Sequence, residues 1–226
     1  MLEQSTSRLL QPGGVHAAAP SKRPQLRHAQ LTQAGELAVP FTTGILVGIG
    51  ETEAEQLQTL EAIAELAEKF GHIGECIVQP YSVGESEASL SRGKRMGTKK
   101  GVVAPLGYNL NDLPALVERA RAILPADVVV QVPPNLVLGA RPEVLRECLE
   151  AGATDLGGIS PLDEVNPSYP FPIVSELRAT LAGWGYSLQE RLPVHTKHAR
   201  APWVRPQVLP VMDKWSARHT RTHVAG

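Results

Sequence analysis

An α/β fold built on a parallel sheet is what this chain predicts, and three observations predict it. Strand-like runs alternate with amphipathic helical runs along most of the sequence. One of them, Phe41-Thr-Thr-Gly-Ile-Leu-Val-Gly-Ile-Gly-Glu-Thr52, passes directly into two glycines and then a strong helix. Glycine (20) and proline (19) are plentiful while aromatics make up only 4%, which suits many short loops.

The elements follow in order. Met1-Leu-Glu-Gln4 reads as the end of a strand, followed by a Pro/Gly-rich loop and a helix from about Pro24 to Leu37. In the next strand Ile45, Leu46, Val47 and Ile49 lack polar alternation, so it is expected to be covered on both faces. Gly48 and Gly50 let the backbone approach a ligand or take positive φ. Thr52 with Glu55 is a capping box, so a helix is expected over 53–70 with free N–H groups beside the glycines. Its apolar positions Leu57, Leu60, Ile63, Ala64, Ala67 and Phe70 fall on one face. A third strand covers 75–80, and after a long loop a helix covers about 112–124. A fourth strand, 127–132, ends in Pro133-Pro134-Asn135, and a helix from Pro142 stops at Gly152. A fifth strand is expected over Thr154-Asp-Leu-Gly-Gly-Ile-Ser160, with a helix from Pro172 to Trp184. Beyond Gln189 the pattern fades, so residues 1–190 are read as one unit and 191–226 as an appended tail with a short helix near 209–217.

Bulk properties exclude several functions. A net charge of -1 gives no global field for nucleic acid or an anionic membrane. No apolar run approaches the roughly 18 residues of a membrane span, and Met1-Leu-Glu-Gln has no signal-peptide character, so a cytoplasmic setting is expected. The two cysteines, Cys76 and Cys148, form neither a disulfide framework nor a CxxC site. No metal site is assigned. His195-x-x-His198 and His219-x-x-x-His223 have usable spacings, but without an acidic or thiol partner they are expected to be solvated. The basic run Arg92-Gly-Lys-Arg-Met-Gly-Thr-Lys-Lys100 reads as a solvated loop.

In a βα arrangement, ligands bind beyond the carboxyl ends of the strands. That rule selects Glu3, Gln4, Gly48 to Glu51, Gln79, Asn135 and 157–160. Gly44-x-Leu46-x-Gly48-x-x-Glu51 fits GxIxGxxE, with Leu for Ile. Farther on stand Gln131-Val-Pro-Pro-Asn-Leu136, Ala151-Gly-Ala-Thr-Asp-Leu-Gly-Gly-Ile-Ser-Pro161 and Asp163-Glu-Val-Asn-Pro167. Together with Val39 to Glu51 and Ile77-Val-Gln-Pro80, these segments closely resemble the radical S-adenosylmethionine enzymes called deazaflavin (FO) synthases, of the CofG type. The likeness runs from Met1 to about Val194.

This resemblance implies the C-terminal part, about strands 4 to 8, of a TIM-like (β/α) barrel. It implies S-adenosylmethionine and a [4Fe-4S] cluster as cofactors. It implies a reaction that closes the ring of 7,8-didemethyl-8-hydroxy-5-deazariboflavin: a 5'-deoxyadenosyl radical takes hydrogen from a tyrosine-derived phenol joined to ribityl-diaminouracil, and ammonia leaves. A companion CofH-type subunit would be the functional partner. By the same likeness Glu3 would bind ribose, and Gly44, Leu46, Gly48 and Glu51 would border the adenine. Gln79, Gln131, Asn135 and Ser160 are placed toward the substrate by strand-end position alone. No catalytic acid or base is assigned, because the chemistry belongs to the cofactor.

The family's CxxxCxxC run is the departure that matters most. Three thiolates must hold the cluster and leave one iron for the cofactor, and the run is absent from this sequence. Cys76 in a strand and Cys148 on a helix face read as small buried hydrophobes. The alternatives are a non-catalytic truncated fragment, or another radical enzyme such as the companion subunit or a biotin-synthase-like protein. The Leu-Gly-Gly-Ile-Ser-Pro segment disfavours the latter.

Overall fold

In a computed structural model, residues 1–82, 107–139, 141–164 and 167–221 are described. The basic run 92–100 and His223 lie outside them. Helix α1 (Pro24–Glu36) leads to strand β1 (Phe41–Val47), helix α2 (Glu53–Phe70) and strand β2 (Ile73–Pro80). Then follow α3 (Leu113–Ile123), β3 (Val129–Gln131), the single turn α4 (Pro134–Val137), α5 (Pro142–Glu150), α6 (Val174–Gly183) and α7 (Leu209–Arg221). The three strands form one parallel sheet in the order β1-β2-β3, as expected of helical crossovers.

Single bridges extend the sheet on both sides. Glu3 pairs in parallel with Ile45, and Asp155 pairs in parallel with Gln131. Five chain segments therefore lie side by side, one for each βα unit read from the sequence. The outermost two are shorter than the sequence suggests. The expected strand over 154–160 stops after Asp155, because its side chain accepts the amide of Gly157 at 2.7 Å and Gly157 turns to φ +74°. This local Asp turn takes the place of a ladder.

The core lies on one face of the sheet. Ile45, Val47, Cys76, Val78, Val130 and Val132 point there and meet Leu60, Ile63, Leu113, Val117, Leu145 and Leu177 from the helices. The capping box is present, with Glu55 N donating to Thr52 Oγ1 at 3.3 Å and Thr52 N to Glu55 Oε2 at 2.7 Å. Gly71 ends α2 in the left-handed conformation at φ 69°.

The opposite face corrects one expectation. Leu46, Ile77 and Gln79 are half-exposed there, so β1 and β2 are not covered on both sides. The helices that pack in the core sit on the other face, and the upper part of this one is only partly buried among the described residues. Its lower part is closed by residues after 190, where Arg191 and His195 reach Glu75. No described helix is long and apolar enough to cross a membrane.

Candidate functional site

The turn after β1 is held from within. Gly48 (φ +89°) is required because a β-carbon there would stand 2.7 Å from the amide nitrogen of Tyr108, which crosses over it. Gly44 is required because a β-carbon would meet the Ile77 carbonyl oxygen. Glu51 accepts the amides of Gly48 at 2.8 Å and Ile49 at 2.9 Å, and also the Gln56 carboxamide at 2.8 Å. The expectation of free N–H groups at this corner is corrected in part: Glu51 takes the amides of Gly48 and Ile49 and Thr52 that of Glu55, while those of Glu53 and Ala54 make no bond among the described residues. Arg8 braces the same corner through Glu55 and the Gly50 carbonyl. That hydrogen bond holds the Glu55 carboxyl down to about 2.

Glu3 stands beside this turn. Its amide donates to Gly44 O at 2.9 Å and its carbonyl accepts from Leu46 N at 3.2 Å, fixing it to the edge of β1. Its φ of 68° is unusual for a residue with a side chain and marks stored backbone strain of the kind found at ligand sites. The carboxylate is ion-paired to Lys22. Its second oxygen, Oε2, is buried with no hydrogen-bond partner, and so is Nε2 of His16, 3.7 Å away. Burial lowers the pKa of His16. A buried acceptor left open is what a sugar hydroxyl would satisfy.

Register brings several other predicted residues together. Leu46 is level with Gln79, and Gly44 with Ile77 and then Gln131. Among the described residues the carboxamides of Gln79 and Gln131 make no hydrogen bond, although Gln131 is only 9% exposed. Asn135 and Ser160 belong to a second grouping. Asn135 Nδ2 donates to Asp163 Oδ2 at 2.8 Å and to the Tyr169 carbonyl at 2.9 Å, while its Oδ1 is buried and unpartnered. Ser160 is exposed and lines a hollow of about 470 Å³ with Leu162, Asp163 and Phe171. Another hollow, about 660 Å³, opens between α1 and α2 along Leu2, Gln25, His28, Thr32 and Gln58, away from the predicted residues.

The tail histidines correct a further expectation. His198 is 1% exposed, its Nε2 lies 2.7 Å from the Gly71 carbonyl, and its ring packs on Trp203. His195 Nε2 lies 3.1 Å from Glu75 Oε2, so an acidic partner does converge on it. The chain folds back beneath the strands and brings together groups 120 residues apart. Glu75, Asp155 and His195 each offer one ligand atom within 4.8 Å of the others, a spacing that could hold a metal. Arg191 fills that position, with Nε 2.5 Å from Asp155 Oδ2 and Nη2 3.3 Å from Glu75 Oε1. Lys197 adds a 3.0 Å ion pair to Asp127. Sequence reasoning missed Lys22, Tyr108, Glu75 and Arg191, none of which sits in a motif, and Asp155, which lies inside the quoted 151–161 segment without being singled out.

Both cysteines are core residues, with 0% exposure. Burial pushes each thiol up to about 12. Neither fits a cluster ligand, which must be a reachable thiolate.

No family model matches the chain. Curated proteins do. Over 206 residues, 91% of the chain, it is 49% identical to a 7,8-didemethyl-8-hydroxy-5-deazariboflavin synthase of Thermosynechococcus vestitus. Proteins of the same name are 44% identical over 95% of the chain in Trichodesmium erythraeum and 50% identical over 86% in Synechococcus elongatus. The matches cover 59%, 61% and 53% of those three relatives, so the chain spans a little over half of their length.

Proposed function

We propose, for a chain that belongs over most of its length to the FO synthase family, that it forms the substrate- and nucleoside-facing wall of a deazaflavin ring-closing lyase of the radical S-adenosylmethionine class. The observation that supports this best is the shared rim of one parallel sheet. Glu3, Gly44, Leu46, Gln79 and Gln131 lie on adjacent parallel segments, with a buried unpartnered oxygen at Glu3 Oε2 and carboxamides at Gln79 and Gln131 that make no hydrogen bond among the described residues. Five parallel segments joined by helices suit the later part of a (β/α) barrel, the arrangement we assign to residues 1–190.

In this reading Glu3 accepts the ribose hydroxyls, while Gly44, Leu46 and the Gly48–Glu51 turn form the surface under the adenine. Glu51 serves that surface by fixing its backbone. Gln79 and Gln131 face the adduct of ribityl-diaminouracil and a tyrosine-derived phenol, and Asn135 and Ser160 border it. When bound, S-adenosylmethionine supplies the hydrogen-abstracting radical of this chemistry. The residues of this chain bind, orient and exclude water. No step is assigned through a [4Fe-4S] cluster, since neither cysteine here fits it. The buried thiols favour a second reading, in which the chain alone is non-catalytic and works when joined to a cluster-bearing segment. The companion CofH-type subunit would act beside it in a cytoplasmic pathway.

Titration of the chain with S-adenosylhomocysteine, followed calorimetrically, tests the nucleoside wall. Saturable binding at one per chain, weakened in Glu3→Gln, is the expected outcome; absence of saturable binding in a folded sample contradicts the reading. Anaerobic reconstitution with iron and sulfide separates the two readings. Cluster absorbance with 5'-deoxyadenosine formation would exclude the non-catalytic one.

A further inference from the structure

We infer that Gln131 reads the imide edge of the substrate's pyrimidinedione ring, and that Arg191 of the C-terminal segment is the positioning residue that holds Gln131 in place. The substrate half of this inference rests on the function proposed above; the positioning half rests on geometry alone.

Contacts run from the tail to the open face without a gap. Arg191 Nε donates to Asp155 Oδ2 at 2.5 Å. The other oxygen of the same carboxylate, Oδ1, accepts the amide of Gly157 at 2.7 Å. That bond sets the turn in which Gly157 takes φ +74°. The bare α-carbon of Gly157 is then the surface on which Gln131 lies: a β-carbon there would stand 2.3 Å from Gln131 Nε2 and 2.8 Å from its Cδ. The backbone of Gln131 is fixed on both sides, by Ile77 of β2 and by the bridge to Asp155. Its carboxamide is thus confined by a turn that a single carboxylate maintains, and Arg191 maintains the carboxylate. Charge-assisted bonds of this kind carry direction as well as strength.

The Gln131 carboxamide makes no hydrogen bond among the described residues, and its polar atoms are not sealed from solvent, so a ligand edge can reach them. Side by side, it offers one N–H donor and one C=O acceptor. A diaminouracil ring offers the complementary pair, a ring N–H next to a carbonyl, and two parallel bonds can form as glutamine forms them with a base edge. A carboxylate at the same position would keep the acceptors and lose the donor.

Arg191 also ties the tail to Glu75, with Nη2 at 3.3 and 3.4 Å from its oxygens. A purely structural role must therefore be separated from positioning. The test uses the full chain labelled with ¹⁵N, with ribityl-diaminouracil and its ring N-methylated analogue as probes. Arg191→Gln and Gly157→Ala are expected to shift the Gln131 side-chain amide resonances and to weaken ribityl-diaminouracil about tenfold. His198→Ala removes the tail's buried anchor on the Gly71 carbonyl without touching Arg191, Asp155 or Gly157, so it should lower stability and leave both readouts unmoved. The N-methylated probe should bind weakly to the wild type and no more weakly to Gln131→Ala. If Arg191→Gln lowers the melting temperature but leaves the Gln131 resonances in place, the positioning role is overturned. If those resonances shift but no form of the chain binds ribityl-diaminouracil, positioning stands and the substrate assignment is overturned.

Discussion

The carboxylate of Glu51 takes the amide of Gly48 at 2.8 Å, closing the strand-to-helix turn three residues before itself. Since it also holds Ile49 and Gln56, its removal strands several donors at once. Glu51→Ala is expected to cost about 1–3 kcal/mol, and Glu51→Gln, which keeps one carbonyl acceptor, about 1. Urea unfolding checks this as a lower midpoint at unchanged slope.

Gly48→Ala and Gly183→Ala should differ in sign. At Gly48 the new methyl meets the Tyr108 backbone, and the backbone sits at φ +89°. At Gly183, in the last turn of α6, nothing lies within 4 Å. The first substitution should destabilise by about 1–3 kcal/mol or more. The second should be neutral or stabilise by up to about 1 kcal/mol. Paired thermal melts decide it.

Acid should remove the contribution of the Arg8–Glu55 pair in a defined window. The folded-state pKa of Glu55 is depressed from 4.5 to about 2, chiefly by the hydrogen bond from Arg8. The unfolded chain therefore binds the proton first, and the stabilisation is complete above pH 4.5 and is lost as the pH falls toward 2. The difference in melting temperature between the wild type and Glu55→Gln should be constant above that window and shrink through it.

Burial lowers the pKa of His72 and His198, so in the folded protein they resist protonation. The unfolded chain takes up protons first as the pH falls below 6.5, and stability should decline from there. His198→Gln keeps a donor for the Gly71 carbonyl but cannot titrate. Its melting temperature should fall less between about pH 7.5 and pH 5.5. An identical slope would show that His198 is protonated equally in both states.

Local signals were legible in the sequence wherever the physics is local. Thr52 and Glu55 announce the start of α2, and the apolar run at 45–47 the buried strand. Gly44 and Leu46 stand out through the GxIxGxxE pattern and Glu3, Gln79 and Gln131 through strand-end position, and the sheet register sets these five positions on neighbouring segments. The strand expected after Thr154 was not realised, since Asp155 competes for the backbone two residues on. Nor could the apolar pattern of β1 distinguish two covered faces from one. The histidines after 190 looked solvated because their partners, Glu75 and the Gly71 carbonyl, are distant in sequence. Fold-back of Glu51 onto its own turn was hidden for a different reason: the same glycines and carboxylate suit a ligand and a self-closed turn equally.

Grafting tests the proposed function most directly. This chain would replace the matched segment of the Thermosynechococcus vestitus relative, to which it is 49% identical. Deazaflavin formation would then be followed anaerobically by fluorescence, with S-adenosylmethionine, a reductant, and the phenol adduct of ribityl-diaminouracil. A fluorescent deazaflavin should form, and Glu3→Gln or Gln131→Glu in the grafted segment should reduce it at least about tenfold. A folded, cluster-loaded chimera that makes no deazaflavin would contradict the proposal.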